Sequence, residues 1–219
     1  MALSSIGNWD IKMNSFETDL KRALCSKGFA AGLAIELLIL IQAGFDSDLF
    51  RMGVPIIAAL PYSTAWLLDY QSGYIKAYLP RTSIAAYIGG KFLSCGISGG
   101  LAQAFGCSIY MLIKEDTPEI NLLLIFTSGM LWAVLSTVLA AWSNSRYIAY
   151  GGGFVLYYVL VILHQRYFEH MYCLNPYEWL SPSHTWILGD WGAVLMLFGM
   201  ILVLLCIYYE IVRRRMEHV

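Results

Sequence analysis

The sequence predicts an all-α integral membrane protein with six transmembrane helices. Hydrophobic residues make up 58% of the chain and charged residues 13%, against about 45–50% and about 25% in ordinary soluble domains. Several apolar runs reach the roughly 20 residues that cross a hydrocarbon core at 1.5 Å per residue. Between these runs the basic residues alternate in number from one side to the other, as the positive-inside rule requires. The 219 residues are read as one transmembrane domain: 1–27 cytoplasmic and interfacial, 28–211 the six-span bundle, 212–219 a basic cytoplasmic tail.

The elements follow in order. In SFETDLKRAL, Phe16, Leu20 and Ala23 or Leu24 recur at helical spacing with Glu17, Asp19, Lys21 and Arg22 between them. That pattern predicts an amphipathic helix at the cytoplasmic interface, capped by Ser15. The first 27 residues carry acids among their bases and no apolar core, unlike a secretory leader. The spans are Gly28–Phe45, Gly53–Tyr70, Ile84–Ile113, Asn121–Trp142, Tyr147–Gln165 and Trp191–Ile211. Pro55 and Pro61 interrupt the second, which membrane helices tolerate when neighbours satisfy the freed carbonyls. The third is long enough to tilt or to project into the cytosol. Early in the fifth, Gly151, Gly152 and Gly153 predict a close crossing or a flexible point.

Between the fifth and sixth spans, RYFEHMYCLNPYEWLSPSHTWILGDW is too long for a turn and rich in interfacial aromatics. Asn175-Pro176 and Ser181-Pro182 read as a cap followed by proline at the first helical position. They predict two short helices dipping into the outer leaflet as a re-entrant hairpin, with a surface-lying aromatic loop as the alternative.

Orientation rests on charge. With the N-terminus inside, Lys12, Lys21, Arg22, Lys27, Lys76, Arg81, Arg146 and Arg213 to Arg215 are cytoplasmic, and only Arg51, Lys114 and Arg166 lie outside. Both termini are therefore expected in the cytoplasm of a cell. Two ionisable residues fall within spans, Glu36 and Lys91. Counted from their span starts they lie about 12 Å and about 10 Å deep. Equal depth predicts an ion pair, with Lys91 snorkelling to the headgroups as the alternative.

Catalytic signatures are missing. AAYIGGKF lacks the first glycine and the Ser/Thr of a P-loop. No H-E-x-x-H or G-x-S-x-G occurs. His164, His170, His184, Glu169 and Cys173 cluster without any standard zinc spacing. The odd count of five cysteines implies no disulfide framework. Neither enzymatic activity, nor a metal, nor a nucleic-acid partner is expected of this chain. In the third span Gly90, Ser94, Ser98, Ala102 and Gly106 recur every four residues, beside Gly96 and Gly100 in a G-x-x-x-G. Such a groove admits another helix, within the bundle or from a second subunit.

One connection remains. DYQSGYIKAYLPRTS, residues 69–83, is far longer than a turn between spans needs. Asp69, then Gly73, Tyr74, Lys76, Ala77 and Tyr78, then Pro80-Arg81, then Lys91 in the next span form a series. That series resembles the second-to-third-span segment of type-2 ATP-binding-cassette (ABC) exporter permeases. With the interfacial elbow helix, six spans, internal termini and the LNPYEWLS hairpin, the resemblance covers nearly the whole chain. It departs in having aspartate where the family more often has glutamate, and in lacking a large external domain.

The resemblance implies that 69–83 is a cytoplasmic coupling helix docking a separate ABC ATPase, two copies of which would carry ATP and Mg. It implies a second permease chain, identical or paralogous, and contact with membrane lipid. By likeness to small bacteriocin exporters it suggests an amphipathic peptide or another hydrophobic substrate. The competing expectation is an ion-coupled secondary transporter or channel using Glu36.

Overall fold

The computed structural model describes residues 16–75, 83–114, 120–186 and 189–217. Among these the chain is helical: α1 Phe16–Leu24, α2 Lys27–Ala43, α3 Asp48–Ala59, α4 Ala65–Gln71, α5 Ile84–Ile113, α6 Leu122–Ser143, α7 Arg146–Tyr167 and α8 Asp190–Glu217, with a 3-10 turn at Tyr172–Leu174. Four helices, those beginning at Ile84, Leu122, Arg146 and Trp191, are long and apolar enough to cross a membrane. The bent pair α1–α2 makes a fifth if counted as one span.

α6 is the centre. In its most apolar stretch 72% of residues are buried, against 22% in α7 and 28% in α8. The outer faces of α7 and α8 carry Val155, Tyr158, Leu195, Leu202 and Val203, each at least half exposed. A water-soluble fold does not leave an apolar surface of that extent open; a bilayer covers it. The chain is accordingly a membrane protein.

α5 packs along α6 at very short range. A Cβ on Gly99 would stand 2.4 Å from that of Ala133, and one on Gly100 would stand 2.6 Å from the Phe126 carbonyl. Gly96 faces Met130 and Val134, and Gly90 faces α1 at Phe16. Ser94, Ser98 and Ala102 are fully buried. The groove of small residues thus takes neighbours from its own bundle, the first of the two uses the spacing allowed.

The second expected span is not one helix. α3 contains Pro55 and tightens to an i→i−3 bond, Leu60 N to Ile57 O at 3.2 Å, just before Pro61. Proline has no N–H and its ring crowds the carbonyl four residues back. The chain turns through 60–64 and restarts as α4. The break is held by α2: Ser26 Oγ donates to the Pro61 carbonyl at 3.0 Å and also caps α2 at Phe29 N. Gly28 sits against the Leu60 carbonyl, only 2.1 Å from where a Cβ would be.

Nor does the expected re-entrant helical hairpin appear among the described residues. Residues 168–186 hold one 3-10 turn and a run of turns through 176–180. Asn175 does cap, accepting from Tyr177 N at 3.2 Å. However, the Glu178 carboxylate then takes the N–H groups of Ser183 and His184, so no second helix starts at Ser181-Pro182. Trp179 anchors the loop, donating to the Cys173 carbonyl at 2.9 Å and packing 5.7 Å from Trp132 of α6.

Candidate functional site

The bends at 25–26 and 60–64 bring three helices to one end of the bundle. α1 turns by 47° relative to α2, which lays it across the start of α5. Asp69 on α4 and Lys91 on α5 are the last and first charges flanking the 69–83 segment among the described residues. Lys91 Nζ lies 2.8 Å from Asp69 Oδ2 and 2.8 Å from Asp19 Oδ1 of α1. It donates its third proton to the Tyr62 hydroxyl at 3.0 Å. Tyr62 in turn donates to Asp19 Oδ1 at 2.7 Å, and the Tyr87 hydroxyl donates to Asp69 Oδ2 at 3.1 Å.

All five residues are buried. An ammonium has three donors, and here each has a partner. The rings of Tyr62 and Tyr87, at 5.2 and 5.7 Å, stand beside the cation with their negative faces available to it. One cation against two carboxylates leaves one negative charge. Arg22, half exposed and 3.9 Å from Asp19, offsets it at the rim. The cluster welds the N-terminal helix to both roots of the 69–83 segment.

More basic residues gather at the same end. Arg146 donates to the Gln71 side chain at 3.1 Å, and Arg215 donates to the Trp142 carbonyl at 2.8 Å. Beyond Asp69, Gly73 adopts a left-handed φ of 72° with open space around it, a turn that a side chain would strain. Tyr74 is 46% exposed while Ile75 is buried. Lys76, Ala77, Tyr78, Pro80 and Arg81 lie outside the described residues.

The expected Glu36–Lys91 pair does not form. Glu36 touches α5 at Gly106 and Cys107, fifteen residues beyond Lys91, or about 22 Å along the helix. The thirty residues of α5 make it roughly 45 Å long, so its start lies well beyond the level at which α2 begins. Equal counts from the two starts are therefore unequal depths. The partner that sequence reasoning missed is Asp19, which the helical stripe assigns to the polar face of α1. In the structure Asp19 and Ala23, one turn apart, are the buried face. The spacing of Tyr87 and Lys91, four apart on one helix face, was the available signal for the other side.

At the opposite end, burial tends to raise the Glu178 carboxyl pKa, but hydrogen bonds from the Ser183 hydroxyl, His184 and both backbone N–H groups outweigh it and hold the group below its usual range. Among the described residues no three His, Cys, Asp or Glu side chains group closely enough to hold a metal ion. Comparison with known proteins returned no match: no family model, no curated protein and no solved structure matches the chain.

Proposed function

We propose that the chain is the transmembrane subunit of an ATP-driven exporter of the type-2 ABC class. In this reading α2, the broken α3–α4, and α5 to α8 are six spans, α1 is the elbow, and the end bearing Arg22, Arg146 and Arg215 is cytoplasmic. The buried cluster of Asp19, Asp69 and Lys91 carries the reading. A loop that merely joins two spans needs no ion pairs at its roots, whereas a loop that receives force must be coupled rigidly to the helices it moves. Three helices tied through one ammonium meet that requirement. Lateral displacement of 69–83 by a docked ATPase would shift α4, α5 and α1 as a unit.

Hydrolysis of ATP, with Mg, belongs to the partner, present in two copies. The broad outer faces of α7 and α8 suit a second permease chain and lipid. A path walled by apolar helices and interfacial aromatics suits an amphipathic peptide or a similarly hydrophobic substrate.

The test is reconstitution with an ABC ATPase from the same cell. Co-purification, two permease chains per complex by mass in nanodiscs, and peptide-stimulated ATP hydrolysis are expected. Tyr74→Ala with Tyr78→Ala should abolish transport while leaving insertion intact, because aromatic anchors dominate such docking contacts. Unimpaired transport by that double variant would sink the assignment.

A further inference from the structure

Glu36 lies in the middle of α2 with no exposed surface. Its carboxyl occupies the space that a side chain at position 106 would need: a Cβ there would stand 2.4 Å from Glu36 Cδ and 2.6 to 2.7 Å from both oxygens. Oε1 receives one weak donor, the Cys107 thiol at 3.7 Å. Oε2 is buried without a hydrogen-bond partner.

No counter-charge is present among the described residues. α5 presents Gly106 and Cys107, and its single cation, Lys91, is committed to the aspartates. α3 presents Ile57 and Leu60 where it meets Gly32. Its one basic residue, Arg51, is turned to Asp46 at 3.4 Å and to the Tyr177 ring at 5.1 Å, and its one acid, Asp48, interacts with Tyr177 as well. Lys27 begins α2, nine residues or about 14 Å away, and Lys114, which caps the end of α5 seven residues or about 10 Å beyond Cys107, stands over the Tyr110 ring at 5.5 Å. An ionised carboxylate in such a place has nothing to compensate it, whereas a neutral acid leaves at most one hydrogen bond unmade, a far smaller penalty.

We propose that Glu36 is a proton-binding site at the α2–α5 interface, occupied while the two helices are packed and emptied when they part. The proton comes from water and returns to water, and the parted state leaves a hydrated carboxylate. Parting of α2 from α5 therefore releases one proton. Because the packed state holds the extra proton, raising pH shifts the balance toward the parted state. The site stands independently of the exporter reading and would couple any opening of this interface to pH.

The experiment uses the full chain in lipid nanodiscs with 13C-labelled glutamate carboxyls and solid-state NMR. One glutamate resonance is expected at the neutral-acid position at neutral pH, and it should vanish in Glu36→Gln. Glu36→Asp, which keeps a carboxyl but removes the labelled residue, assigns the same resonance should Glu36→Gln fail to fold. Spin labels on α2 and α5 should report a larger parted fraction at pH 8 than at pH 5 in the wild type. Glutamate resonances that are all ionised at neutral pH would overturn the proposal. So would an α2–α5 distance distribution that does not change with pH.

Discussion

Lys91 and Glu36 are both fully enclosed ionisable side chains on apolar helices, yet the fold surrounds them differently. Lys91 has two carboxylates, a hydroxyl and two aromatic rings within reach. Glu36 has one thiol. The first arrangement is built for a permanent charge and joins three helices through it. The second joins two helices through shape, a carboxyl filling the gap left by Gly106. Neutralising the buried ionisable group should therefore be severe at Lys91 and mild at Glu36.

Lys91→Met separates the two most strongly. It strands Asp19 and Asp69 beside each other with no cation, and truncating one partner of a buried pair costs about 3–5 kcal/mol. The expected outcome is a large drop in folded yield and thermal midpoint. Asp19→Asn and Asp69→Asn in the same chain should restore much of it, because no charge is then left behind. A Lys91→Met variant as stable as Glu36→Gln would erase the contrast between the sites.

Tyr62→Phe comes next. It keeps the ring beside the ammonium and removes only the hydroxyl that bridges Lys91 to Asp19. Hydrogen bonds to charged groups are worth about 1.5–3 kcal/mol, so a midpoint shift of corresponding size is expected. A double-mutant cycle with Asp19→Asn should show strong coupling, since the two share a bond.

At the other site the informative change is on the facing helix. Gly106→Ala drives a methyl group into the Glu36 carboxyl, and overpacking of this kind costs about 1–3 kcal/mol. Glu36→Ala in the same chain makes room and should recover stability. Additive losses in that cycle would mean that the two side chains never compete for the space.

How far these sites were legible in the sequence depends on what each needed. The bounds of α5 and α6 follow from long apolar runs; the structure adds that Ser83 and Asn121 cap them, their side chains accepting from first-turn N–H groups. The position of the break in the second span follows from Pro61. The burial of Asp19 does not follow, because hydrophobic periodicity assumes that charges face water or headgroups, and a tertiary ion pair rotates α1 against that preference. Nor does the depth of Glu36 relative to Lys91, which depends on how far α5 extends beyond α2. Helix starts at Asn175 and Ser181 were legible as local capping chemistry, but a side chain three residues after the first took the backbone groups that the second would have used.

That side chain, Glu178, is a fourth buried acid and the intermediate case, held by hydrogen-bond donors of its own loop instead of a lysine or a bare cavity. Its relaxed and docked forms differ in proton affinity, and the sign follows from the direction of the shift. Undocked, it titrates near its ordinary value of 4.5; docked, its pKa lies lower, held down by Ser183 and His184 despite the opposing effect of burial. The docked loop therefore binds fewer protons, and its stability is fully present above about 4.5 and declines as pH falls toward the docked value. Fluorine-labelled tryptophan can report this, because in the seated loop the Trp179 ring packs 5.7 Å from that of Trp132. The expected outcome is a Trp179 resonance that is constant at neutral pH and shifts toward a solvent-exposed position below pH 4.5. In Glu178→Gln the shift should disappear and the loop should be looser at every pH. A Trp179 resonance that moves with pH to the same extent in Glu178→Gln would instead place the pH dependence of the loop on another group.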